Sequence, residues 1–167
     1  MHLRYLGGIP LIVALWTTLA AAQPVTITRA DADGSGALHV VTANGKDIAV
    51  PKEKGQTGAE EIKITNDHQT LGWLVAYPNP DPNRSWEKLY GELVLWRDGK
   101  VLRRFSTEQV FWSWGFWQDG KQVAFHTGLL HGSGRSELHD LTTGFLVAAF
   151  NDDDTGTEPG WAQSLDP

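Results

Sequence analysis

The chain has no cysteine among its 167 residues, which excludes a disulfide scaffold and any thiol chemistry. It has no cluster of basic residues, and its net charge is −6. An acidic chain of this kind binds nucleic acid poorly and is repelled by anionic lipid headgroups. No stretch keeps a helical apolar period long enough to compete with the short alternating runs described below. There is no Gly-x-Ser-x-Gly elbow, and Gly132-Ser133-Gly134 lacks both that spacing and a strand-to-helix setting. The glycines form no phosphate cradle either, because no helix follows them. Carboxylates are scattered except in Asp152-Asp153-Asp154, which reads as a solvated acidic tail. No cofactor is implied.

Long apolar runs are also missing, with one exception. Leu6 to Leu19 is apolar, follows His2 and Arg4, contains Pro10, and leads into Ala20-Ala21-Ala22. A spanning helix needs about 20 apolar residues. The shorter run with its small-residue end predicts a secretory leader over 1–22, cleaved before Gln23, with an uncleaved anchor as the alternative. The absence of cysteine after the run excludes a lipid-modified amino terminus. Residues 23–167 are then expected as one exported domain, periplasmic or secreted, with no stable membrane insertion after cleavage. Arg4 is the only charged residue lost, so the remainder is more acidic still. That length is ample for a hydrophobic core.

What the chain does have is turns. Asp33-Gly34, Asn44-Gly45, Asp98-Gly99, Asp119-Gly120 and Thr143-Gly144 are flanked by alternating apolar residues, the pattern of tight β-hairpins. Strands are expected over 25–29, 37–42, 47–50, 61–65, 71–77, 92–97, 100–106, 110–116, 122–127, 136–141 and 145–150, giving an all-β chain with short antiparallel connections. The segment Leu93 to Phe105 returns as Leu138 to Phe150, with turn glycines Gly99 and Gly144 and closing Phe105 and Phe150 each 45 positions apart. A repeat of about 40–45 residues holding several short strands is the spacing of β-propeller blades.

The last unit carries a more specific likeness. Phe116-Trp117-Gln118-Asp119-Gly120-Lys121 followed by an apolar strand, and Leu138-His139-Asp140-Leu141-Thr142-Thr143-Gly144, resemble the two halves of a TolB-type (WD40-like) blade. Trp117-Gln118 stands where that family usually has Ser-Pro. The resemblance implies an antiparallel meander of blade-like repeats over about 25–65, 66–106 and 107–151, forming a partial or open propeller, with a β-sandwich as the alternative. It implies no activity, since such blades serve binding proteins, gating domains and lyases alike. Three units fall short of the four to eight that usually close a ring. Either they pack as an open stack, or a second copy completes the surface as a homodimer.

Several segments are candidate sites. In Phe111 to Trp117, strand parity predicts Trp112, Trp114 and Phe116 on one face and Phe111, Ser113, Gly115 and Trp117 on the other. Trp112, Trp114 and Trp117 are therefore either inner-strand core or a platform for sugar rings and peptide side chains. The Pro78–Tyr90 loop, stiffened by prolines, offers Arg84, Trp86 and Tyr90, residue types that anchor interfaces. His126, His131 and Asp140 are the candidates for a metal or a hydrolytic centre, although their spacing fits no standard ligand set. Glu137 and His139 share the opposite strand face from Asp140. Asp31 and Asp33 open a calcium-like loop that lacks its later ligands, His39 and Thr42 standing where carboxylates would be needed. The leading expectation is a non-enzymatic binding or scaffold module for a protein or cell-envelope component. A small metal-dependent hydrolase and a carbohydrate-binding module are the alternatives.

Overall fold

A computed structural model describes residues 24–85 and 87–165, so the leader expected over 1–22 lies outside the described residues. The chain is all-β, built as three antiparallel meanders, none closed into a barrel. The first sheet holds β1 (Ile27–Ala32), β2 (Leu38–Thr42) and β3 (Asp47–Val50). The second holds β4 (Gly58–Ile64), β5 (Thr70–Pro78), β6 (Lys88–Arg97) and β7 (Lys100–Ser106). The third holds β8 (Val110–Trp117), β9 (Gln122–Gly128), β10 (Gly134–Asp140) and β11 (Leu146–Asn151). Each expected strand region falls on one of these elements. The turn residues act as their types require: Asp98-Gly99 and Asp119-Gly120 both hold positive φ at two successive residues, the type I′ geometry of a twisted hairpin.

The expected boundary between the first two units, after Thr65, is displaced. β4 pairs with β5, not with the first sheet. Pro51 ends the ladder after Val50, and the 51–57 connection is tied down by Gln56, whose Nε2 donates to Gly36 O at 2.8 Å while its Oε1 accepts from Glu53 N at 2.9 Å.

The sheets stack in chain order. One core joins Ile27, Leu38, Val40 and Val50 of the first sheet to Leu71, Trp73, Val75, Val94 and Trp96 of the second. A second core joins Leu74, Leu93 and Leu95, from the other face of the second sheet, to Phe111, Trp114, Val123 and Phe125 of the third. The middle sheet is thus buried on both faces, which explains its unbroken apolar run Leu71 to Tyr77. Each fully buried tryptophan withdraws about 150–250 Å² from water, about 4–6 kcal/mol of transfer free energy before entropy is counted. The stack is terminated at both ends. Arg29, Asp31, His39 and Asp47 make the outer face of the first sheet polar, with Arg29 on Asp31 at 2.6 Å and His39 Nδ1 on Asp47 at 3.2 Å. The outer face of the third sheet is covered by the short helix α1 (Gly160–Gln163), whose Trp161 and Ala162, with the following Leu165, pack on Ala124 and Leu138. Among the described residues, no helix is long and apolar enough to cross a membrane.

Candidate functional site

Between the second and third sheets the packing opens into a cleft of about 450 Å³, a size that suits a small ligand. Its wall on the third sheet is set by strand parity. β10 alternates Arg135, Glu137 and His139 toward the cleft with Gly134, Ser136 and Leu138 on the far face, and the register places the first three beside Thr127, Phe125 and Val123 of β9. Phe105 of β7 and Phe111 of β8 complete an aromatic floor with Phe125. The rings of Phe105 and Phe111 each lie 5.2 Å from that of Phe125.

The polar row on β10 is internally connected. Arg135 Nε donates to Glu137 Oε1 at 2.8 Å, and His139 Nε2 meets Glu137 Oε2 at 2.9 Å. His139 Nδ1 lies 3.0 Å from Gly144 O. Its ring stacks on Phe125 at 5.1 Å and 16°, and tilts against Phe105 at 4.8 Å. Burial alone would raise the Glu137 carboxyl, but the hydrogen bonds from His139 and Arg135 outweigh it and hold the group below its ordinary value. Glu137 is therefore an ionised carboxylate with both oxygens engaged.

Phe105 is the β7 side chain that faces the cleft; Arg104, opposite Val94, turns to the other face of the second sheet, where it gives Nε and Nη2 to Glu53 Oε1 at 3.0 and 2.7 Å. Ser106 Oγ donates to Glu92 Oε1 at 3.0 Å, and Tyr77 donates its hydroxyl to Glu92 Oε2 at 3.0 Å. Burial, reinforced by Glu92, pushes the Tyr77 phenol up to about 12. Of the cleft's donors, Arg135 Nη2 and the Gln109 side-chain amide make no hydrogen bond among the described residues. Thr107 Oγ1 only accepts there, from Gln109 N at 3.1 Å. The cleft thus has donors to spare, while its one lining carboxylate is fully used.

The residues singled out by sequence are dispersed. The aromatic strand does not keep simple parity, because β8 carries a bulge between Phe111 and Ser113. Trp112 is the extra residue and is 45% exposed, whereas Trp114 is 1% exposed. Trp114 joins Phe111 and Phe116 on the core face, and half-buried Trp117 packs outward near α1. The bulge reverses the phase of the strand after one residue, so no coplanar tryptophan platform forms. The expected Pro78–Tyr90 loop is shorter, because the ladder continues through Pro78–Lys88 and Ala76–Tyr90. Within it, Arg84 is bound to Glu87 at 3.0 and 2.5 Å, half-buried Tyr90 packs against the second core, and Trp86 lies outside the described residues.

His126, His131 and Asp140 do not converge. On the β9–β10 ladder His126 pairs with Ser136, four residues from Asp140, a span of about 13 Å at strand rise. Asp140 instead caps its turn, accepting from Thr143 N and Oγ1 at 2.7 and 2.8 Å. His126 Nε2 faces Asp152 at 3.4 Å, beyond good hydrogen-bond length, and His131 sits on the exposed 129–133 loop. Asp31 pairs with Arg29, and Asp33 accepts from Ser35 Oγ, Ser35 N and Ala37 N. Those bonds, the Ser35 hydroxyl first, lower the Asp33 carboxyl to about 2, and its role is to close the turn. No group of three His, Cys, Asp or Glu side chains among the described residues is placed to hold a metal ion.

Phe105 and Arg135 are members of the cleft that the sequence reading did not single out. The alternation Gly-Arg-Ser-Glu-Leu-His-Asp was the available signal for Arg135, since it puts every second residue on one face.

No family model matches the chain, and no curated protein matches it. Among solved structures it is similar to hydrazine synthase of Kuenenia stuttgartiensis, with 16% identity and a TM-score of 0.49 over 77% of this chain. The match spans 37% of the length of that protein chain.

Proposed function

We propose that the chain is an exported binding module, not an enzyme, whose ligand is a small organic anion with a flat apolar body held in the cleft between the second and third sheets. The observation that carries this reading is the donor surplus: the Arg135 guanidinium, the Gln109 amide and threonine hydroxyls around an aromatic floor, with the lining carboxylate Glu137 already bonded to Arg135 and His139. A carboxylate accepts from such a rim, and a planar body suits a floor of phenyl rings.

The same contacts argue against catalysis. A hydrolytic centre needs a base in reach of a nucleophile. Here Glu137 has both oxygens occupied, His139 has both nitrogens partnered, and Ser106 is turned to Glu92. Export is supported by the leader pattern of residues 1–22. Membership of the TolB-type blades is supported by the Asp119-Gly120 and Thr143-Gly144 turns at their blade positions.

Saturation-transfer NMR with benzoate as the probe, and benzylammonium as its cationic match, tests the reading. A fragment of this size is expected to bind with Kd on the order of 1–10 mM. Transfer to benzoate, lost in Arg135→Ala and absent for benzylammonium, is the expected result. Equal transfer to both probes would remove the case for an anion site.

A further inference from the structure

The ring of His139 makes two hydrogen bonds, and both of its partners are acceptors. Nδ1 lies 3.0 Å from the carbonyl oxygen of Gly144, and Nε2 lies 2.9 Å from Glu137 Oε2. A neutral imidazole offers one N–H and one lone pair, so it satisfies only one acceptor. A carbonyl never donates. Glu137 could donate only if protonated, but it is ionised, its other oxygen accepting from Arg135 Nε at 2.8 Å. The fold enforces both contacts. Gly144 sits in a turn that Asp140 caps and Arg103 ties down through Thr142 O, and the imidazole is stacked on Phe125 and tilted against Phe105.

We infer that His139 is a charged imidazolium in the folded protein, and that its proton sets the charge of the cleft and so switches its grip on an anion; the second step rests on the anion-site reading above. With the proton, the row Arg135–Glu137–His139 holds two cations and one carboxylate, leaving one net positive charge. Without it, Glu137 balances Arg135, the row is neutral, and a bare ring nitrogen faces an oxygen lone pair. The surroundings favour the charged form. On β10, Glu137 bonds the ring directly, while Asp140 belongs to the other face and is occupied by Thr143. On β9 and β11 the register sets Val123 and Leu146 beside His139. The Phe125 ring offers its electron-rich face to the cation. From β7, Phe105 packs on the ring, and Arg103, behind the Gly144 turn, is the cation that opposes the charge.

Two measurements on the full chain test this. Nitrogen-15 spectra of the His139 ring, assigned by their loss in His139→Gln, should show both nitrogens protonated at about pH 7, where a free histidine is mostly neutral. One unprotonated nitrogen there would overturn the inference, whatever the ligand does. Benzoate titrations by saturation transfer at about pH 6 and about pH 9 read the switch, since histidine titrates within that window and benzoate stays ionised throughout. Affinity is expected to fall on the order of three- to tenfold at the higher pH, as one unit of charge leaves the cleft. His139→Gln keeps a donor for Glu137 but has no titrating proton, and should bind weakly and equally at both. Equal affinity of the unmodified protein at both pH values would overturn the switch and leave the anion site standing. No transfer at either pH would overturn the anion-site reading and the switch with it.

Discussion

Replacing Gly72 with alanine tests whether the second and third sheets interlock as described. Gly72 lies in β5 opposite Leu95, and a Cβ built there would stand 2.6 Å from Trp114 Cη2 and 2.7 Å from Leu95 Cδ2. Neither neighbour can withdraw cheaply. Leu95 is fully buried, and the Trp114 indole is fixed by Nε1 donating to Glu61 O at 3.1 Å, with Lys63 Nζ 5.1 Å from the ring centroid. Overpacking of this kind costs about 1–3 kcal/mol, which moves a urea midpoint by about 1 M at an m-value near 2 kcal/mol/M. Trp114→Phe removes the outer indole carbons that alanine would strike, at its own cost of about 1–3 kcal/mol for lost packing and the lost hydrogen bond. In the double variant the clash with Trp114 is gone and only that with Leu95 remains, beside space into which Leu95 can turn, so the two costs should fall short of additivity by about 1 kcal/mol or more. Urea unfolding of the four proteins closes the cycle. Additivity within about 0.5 kcal/mol would mean the two residues do not touch, and the sheet stacking that forms the cleft would be wrong.

Two further outcomes follow from single sites. Tyr77 and Tyr90 are the only tyrosines after residue 22, and burial raises both phenols, Tyr77 to about 12. Absorbance at the phenolate band should therefore show no native step near the ordinary tyrosine value. Because the folded pKa of Tyr77 lies above its unfolded value, its contribution to stability is intact below about pH 10 and is lost as pH rises toward 12. A full tyrosine step near pH 10 in folded protein would contradict the buried Tyr77–Glu92 contact. At Gly134, an added Cβ would stand 2.0 Å from His126 Nε2, 2.8 Å from Thr127 O and 2.9 Å from Asp152 Oδ2. Gly134→Ala should displace the Asp152 carboxylate that accepts from Gly134 N at 2.7 Å, free the segment leading to α1, and speed cleavage at Glu158 by a glutamate-specific protease. An unchanged cleavage rate would show that this anchor does not hold the tail.

The hairpins were legible because each is local. The glycine turns at 45, 99, 120 and 144 need positive φ and have it, and the apolar alternation around them sets the strands. The sharing of one face by Glu137 and His139 was legible for the same reason. Two things were not. The bulge at Trp112 leaves no mark in an unbroken aromatic run, yet it decides which tryptophans are core. The assignment of β4 to the second sheet depends on pairing with β5 across Thr65–Thr70, where Thr65 Oγ1 donates to Asp67 Oδ1 at 2.5 Å to tighten the turn. The cleft itself joins β7 to β10, residues far apart in sequence, and only the stacking of two sheets brings Phe105 to face Arg135, Glu137 and His139.

The central claim is that an anion occupies that cleft, and amide mapping of isotopically labelled protein titrated with benzoate tests it most directly. The account predicts saturable shifts confined to Ser106–Gln109, Thr127 and Arg135–His139, with benzylammonium leaving those amides in place. Shifts gathered instead at the shallow hollow lined by Pro24–Thr26 and Thr42–Ile48, or none at all, would contradict it.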